Sequence, residues 1–139
     1  MELPTQAEQS GGGGFGPGRL PYDEIGGDAG VRRLVDEFYD RVRDDSEVMR
    51  RLHPEDLTES REKLFEFLSG WLGGPQLYVQ KHGHPRLRMR HMPFAIDEEA
   101  VREWLRCMRG AMDACAVEGE LRAFLEERFR NTAEFMRNC

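Results

Sequence analysis

Gly83-His84-Pro85-Arg86-Leu87-Arg88-Met89-Arg90-His91-Met92-Pro93-Phe94 lies past the middle of the chain and separates two helical halves. Pro85 disfavours helix at the residue before it, and Pro93 stops one, so the stretch has room for a single turn over Arg86–His91. Just upstream, Pro75 and Gly83 exclude a long helix, and residues 75–85 read as irregular. On both sides of this link apolar residues recur at helical spacing, and no strand alternation competes.

Immediately before the link the spacing predicts a helix over Leu57–Leu72, with Leu57, Leu64, Phe67, Leu68 and Trp71 as its stripe and Ser60 on the same face. Gly73-Gly74-Pro75 terminates it. Earlier, Val48–Leu52 reads as a short helix or turn stopped by Pro54. A first long helix is predicted over Gly27–Asp44, capped by Asp28, with Val31, Leu34, Val35, Phe38 and Val42 inside. After the link, Asp97 followed by Glu98-Glu99 combines a cap with first-turn acidity. That helix should reach about Ala116, burying Val101, Trp104, Leu105, Met108, Met112 and Cys115. The last helix, Gly119–Arg137, should bury Leu121, Phe124, Leu125, Phe129, Phe135 and Met136. The fold class is all-α, with four main helices and no internal repeat. Residues 1–20, with the run Gly11–Gly14 and little apolar content, are expected to form a disordered tail, and the packed domain to span 21–139.

A chain of 139 residues fits one domain with one core. Its net charge of −6 opposes binding to nucleic acid, which needs a net basic face. No window suffices to span a bilayer, and the N-terminus lacks a basic start with an apolar stretch, so a cytoplasmic location is expected. Cys107, Cys115 and Cys139 form no Cys-x-x-Cys or Cys-x-x-Cys-His motif, which argues against a disulfide framework, a zinc site and covalent haem attachment. Cys107 and Cys115 read as small buried hydrophobes, whereas Cys139 could join two copies on oxidation.

The four histidines are His53, His82, His84 and His91. His91 ends the predicted single turn, with Arg88 and Arg90 before it and apolar residues after it. Haem needs an imidazole within an apolar wall and cations near its propionates, and this stretch supplies all three. Composition alone leaves a loop histidine without a ligand role as an open alternative. His82 and His84 form a His-Gly-His pair able to chelate a transition metal, but no carboxylate stands beside them in the loop, and they read as exposed. Met89 and Met92 lie too near His91 in sequence to reach the opposite face of a haem.

The segment resembles the proximal segment of the group II truncated haemoglobins, in which the His of Arg-His-x-Pro-Phe is the axial iron ligand. Agreement continues through Tyr22-Asp-x-Ile-Gly-Gly, Phe38-Tyr39, Pro54-Glu55-Asp56, Gly73-Gly74-Pro75 and Trp104-Leu105-x-Cys107-Met108. The resemblance covers about residues 21–139. It implies a two-over-two helical sandwich around non-covalent haem b, with His91 on the iron. Arg90, Phe94, Leu64, Phe67 and Met108 are then expected to hold the cofactor. Tyr39, Trp104, His53, Ser60 and Phe38 are expected on the distal, gas-binding side.

A Tyr O–H and a Trp N–H are donors suited to partial negative charge on O2 in a dry pocket. Two or three such bonds would slow O2 release by roughly 10- to 1000-fold. The expected ligands are O2, CO, NO or peroxide, and the expected reactions NO dioxygenation or peroxidase-like turnover, with an unidentified reductase and a homodimer as partners. A sensor or carrier without turnover is the alternative, and a haem-free helical interaction module, in which His91 and Trp104 are structural, is a third reading; for Tyr39 alone, the alternative to a ligand role is a surface tyrosine.

Overall fold

The computed structural model describes residues 15–139. Eight helices order these residues: α1 (Pro21–Ile25), α2 (Gly27–Asp45), α3 (Glu47–Arg51), α4 (Thr58–Trp71), α5 (Leu77–His82), α6 (Leu87–His91), α7 (Glu98–Ala114) and α8 (Gly119–Met136). Helix α2 packs on α4 and on α7, and α7 packs on α8. The four long helices therefore form two pairs, α2 with α4 and α7 with α8, in the expected two-over-two sandwich. Among the described residues there is no strand, only one bridge between Gly16 and Arg19, and no helix is long and apolar enough to cross a membrane.

The α2 stripe behaves as its spacing predicts. Val31, Leu34, Val35, Phe38 and Val42 are all 0% exposed. Its start differs from expectation. Gly26, at φ 107°, closes α1 and opens α2 without a side-chain cap, so Asp28 sits inside the first turn, where its charge still faces the helix dipole favourably. The two helices meet at Gly30, where a Cβ would collide with the Ile25 carbonyl.

Helix α4 carries two apolar faces rather than one. Phe65, Leu68 and Leu72 are buried in the core, while Leu64, Phe67 and Trp71 are only half-buried against it. Phe65, absent from the predicted stripe, belongs to the first face. The second face, with Ser60 one turn before Leu64, looks out along the same side of the helix.

The link expected to be irregular contains α5. Tyr78 anchors it with 8% exposure. Buried Glu66 of α4 reaches Lys81 Nζ and His82 Nε2, each at 3.2 Å. His82 is thus half-buried and paired with a carboxylate, contrary to its reading as a free loop histidine; the partner comes from another helix, beyond the reach of a local reading. His84 is exposed.

The packed chain also starts earlier than Pro21. Phe15 is buried, 4.6 Å from the Phe124 ring, and Arg19 covers it at 4.4 Å while pairing with Glu24 and Glu120. Of the expected disordered tail, residues 1–14 with their glycine run lie outside the described residues. Phe135, expected in the core, is half-buried. Cys107 is buried and its thiol is pushed up to about 11 by desolvation, which keeps it unreactive. Cys115 is half-buried and Cys139 exposed.

Helix caps fix two junctions. Asp97 accepts from Ala100 N at 2.8 Å and starts α7. Ser46 accepts from Met49 N at 3.2 Å and donates to Glu103 Oε1 at 2.8 Å, so the α3 cap is tied to α7. Arg106 and then Ser46 hold the Glu103 carboxyl down at about 2. Replacing Ser46 with Ala removes both bonds. The loss should cost about 1–2 kcal/mol and lower the melting temperature by roughly 3–8 °C, read by circular dichroism. An unchanged melting curve would show that the cap contributes nothing.

Candidate haem site

Helix α6 is the short turn expected around His91, and it buries no residue of its own. It starts at Arg86, held at φ 46°, and ends at His91. His91 Nδ1 lies 2.6 Å from the Leu87 carbonyl. A carbonyl can only accept, so Nδ1 carries the proton and Nε2 presents a lone pair away from its own helix. With Nδ1 so engaged, it is Nε2 that would be left for a haem iron.

What α6 lacks in burial it gains from the end of α8. Arg88 Nε donates to the Phe135 carbonyl at 3.1 Å. Asn138 Nδ2 donates to the Phe94 carbonyl at 2.8 Å and more weakly to that of His91 at 3.4 Å. Ile96 N donates to Asn138 Oδ1, and Asn138 N to the Ile96 carbonyl, each at 2.9 Å. One asparagine thus clamps the segment that follows His91. It stands outside every motif in the sequence, and no local signal marks it.

Opposite, α2, α7 and the turn after α3 bring the expected distal residues together. Phe38 lies 5.0 Å from the Tyr39 ring and 5.1 Å from that of Trp104, and Tyr39 lies 5.7 Å from His53. Trp104 and Trp71 both lean on Phe129, at 5.5 and 5.2 Å. Tyr39 is 6% exposed and therefore not the surface tyrosine of the alternative reading, whereas Trp104 and His53 are half-buried. Burial pushes the Tyr39 phenol well up against the weak opposition of Arg61, so it stays an O–H donor. Desolvation lowers His53, with the Met49 carbonyl opposing at 2.7 Å from Nδ1. His53 is therefore neutral near pH 7, with Nδ1 donating and Nε2 open as an acceptor.

The remaining expected contacts divide by burial. Leu64, Phe67 and Ser60 stand half-buried on the second face of α4. Phe94 is 46% exposed and Arg90 exposed, with Arg90 Nε on the Pro85 carbonyl at 2.8 Å. Phe38 and Met108 are wholly enclosed by protein at 0% exposure. Phe38 packs against both Tyr39 and Trp104. Trp71, Leu77 and Ile96 are half-buried apolar neighbours that the motif reading left out.

These residues fit haem. Half-buried Leu64, Phe67, Trp71, Trp104 and Ile96 form an apolar wall, and Trp71 Nε1 is buried without a hydrogen-bond partner among the described residues. His91, its Nδ1 on the Leu87 carbonyl, is an imidazole that would ligate haem iron, and exposed Arg90 is a cation that would suit a propionate. Among the described residues no three His, Cys, Asp or Glu side chains gather as a ligand set for a bare metal ion.

Comparison with known proteins agrees with this geometry. The family model of the bacterial-like globins matches residues 21–138. The chain is 47% identical over 118 residues to a group 2 truncated hemoglobin of Bacillus subtilis, covering 85% of this chain and 88% of that protein. It superimposes with TM-score 0.82 on the truncated oxygen-avid haemoglobin from Bacillus subtilis, at 46% identity, covering 86% of this chain and 100% of that one. With the cold-adapted truncated hemoglobin of Pseudoalteromonas haloplanktis the TM-score is 0.84 at 42% identity, covering 87% and 99%. An imidazole clamped on one side, aromatic donors gathered on the other and agreement along nearly the whole fold lead to one assignment: the chain belongs to the bacterial-like globin family, as a group II truncated haemoglobin with non-covalent haem b.

Proposed function

We propose that the chain binds O2 and related diatomic gases, holds O2 with slow release, and supports redox chemistry on the bound ligand. The observation that carries the reading is the cluster in which the neutral Tyr39 phenol and the Trp104 indole meet Phe38 and a neutral His53 meets Tyr39. When bound, haem would supply an iron able to accept a diatomic ligand, with His91 as the residue that would hold it. His91 orients through Leu87, while Arg90, Phe94, Leu64 and Phe67 are the residues assigned to hold the cofactor. Tyr39 and Trp104 supply hydrogen-bond donors to partial negative charge on the ligand, and the enclosed Phe38 and Met108 keep them from turning away. Ser60, small and on the open face of α4, leaves the pocket mouth unobstructed.

Within redox chemistry, peroxidase-like turnover has a specific support that NO dioxygenation lacks. His53 is fixed by Met49 with Nε2 open, so it can take a proton from peroxide and return it to the departing oxygen. NO dioxygenation, which asks only for retained O2, is the other reaction this reading admits. Both need a source of electrons.

The reading is tested by the visible spectra of wild type and His91→Gly with added hemin. Wild type should show a Soret band and a five-coordinate ferrous form; the variant should lose that form and recover it with imidazole. Two proteins that behave alike, or that hold no haem, would sink the assignment. Trp104→Phe removes the indole N–H while keeping an aromatic ring, and should speed O2 dissociation about ten-fold or more, above any other single pocket change. Stopped-flow rates equal to wild type would refute that role. Asn138→Ala releases the clamp after His91 and should speed hemin transfer to apomyoglobin several-fold; equal transfer rates would show that α6 needs no tether.

A further inference from the structure

Residues 67–96 contain no Asp or Glu, in a chain whose net charge is −6. The same thirty positions hold Lys81, Arg86, Arg88 and Arg90. Arg88 spends its hydrogen bonds on neutral carbonyls, those of Phe135 and Arg137, which leaves its charge uncompensated, whereas Arg90, bonded to the Pro85 carbonyl, is assigned to a haem propionate. Arg86 is exposed. Elsewhere the arginines pair largely with carboxylates, as Arg32 does with Glu62, Arg61 with Asp40 and Arg122 with Asp113.

The exposed apolar side chains fall in the same segment. Val79, Met89, Met92 and Phe94 are the large hydrophobics that stand exposed among the described residues, at 45–55%. Phe94 is assigned to the haem, but Val79, Met89 and Met92 are not. An apolar centre with a one-signed charged rim is the make-up of a transient protein interface, and methionine adapts to such partners. The rest of the molecule is acidic and repels polyanions in general, so the complementary surface is local.

We propose that the face formed by α6 and its flanking loops, centred on Met89 and Met92 and rimmed by Arg86 and Arg88, docks an acidic one-electron carrier protein that reduces this haemoglobin. The proposal rests on the haem reading above, since its purpose is to bring the carrier beside the helix that bears the iron ligand. One electron leaves the carrier, which is oxidised by one, and ferric iron becomes ferrous; no bond to a protein atom forms or breaks. Such contacts are small and electrostatically steered, so their rate falls as salt rises.

The test uses the haem-loaded protein and a reduced, acidic plant-type [2Fe–2S] ferredoxin as probe. At low ionic strength, stopped-flow reduction of the ferric protein should slow at least ten-fold in Arg86→Glu and several-fold in Met89→Gln, while dithionite reduces all three alike. Anisotropy of labelled oxidised ferredoxin should show Kd weakened ten-fold by Arg86→Glu, and wild-type binding should weaken as salt rises. Salt-independent binding, or variants equal to wild type in rate and Kd, would overturn the docking face and leave the haem reading standing. So would self-association abolished by Arg86→Glu, which would give the face to a second copy, or tighter binding to phosphatidylglycerol vesicles than to ferredoxin. A wild type with no Soret band would overturn both.

Discussion

Burial of one face of α2 is the constraint on which the other elements depend. Its five innermost side chains, from Val31 to Val42, are removed from water entirely, and the helix packs against α1, α3, α4 and α7. At about 1.5–3 kcal/mol for each fully buried aliphatic or aromatic side chain, this stripe is a large share of what opposes chain entropy in a domain of this size. The same face sets the distal side of the pocket. Phe38 cannot turn without opening the core, so the next residue, Tyr39, is held at its edge, and Trp104 on α7 is held against Phe38 from the other direction. Stability and ligand chemistry are adjacent residues on one helix.

The two sides of the pocket are built by different means. The distal side is made of side chains on long helices, each fixed by packing. The proximal side is a five-residue helix with nothing buried, fixed by hydrogen bonds to main-chain carbonyls and by one asparagine. The acid-free segment around it follows from this economy. A turn that buries nothing can expose cations and methionines without disturbing the core.

The long helices were legible because their signals are local. Asp97 with Glu98 and Glu99 marks the start of α7 within one residue, and the spacing of Val31 to Val42 reports α2 without reference to anything else. Motifs in order singled out His91, Tyr39 and Trp104, which the fold places on α6, α2 and α7. What stayed hidden depends on partners far away in sequence. Helix α5 exists because Glu66 meets Lys81 and His82, and nothing within 75–85 reveals that. Phe15 sits in a stretch that reads as glycine-rich tail, but its ring partner is Phe124. The complete burial of Phe38 and Met108 depends on how α2 and α7 cross. Asn138 has no motif at all.

That asparagine couples two events usually treated apart. Helix ends fray at little free-energy cost, and Asn138, two residues past the end of α8, is what holds Phe94, Ile96 and the carbonyl of His91. A local opening of the final turn therefore loosens the axial ligand's segment while the sandwich of long helices stays closed. The lowest-energy route for losing the cofactor then runs through a sub-global fluctuation of the chain terminus, and cofactor retention and core stability become separately adjustable properties of the same fold.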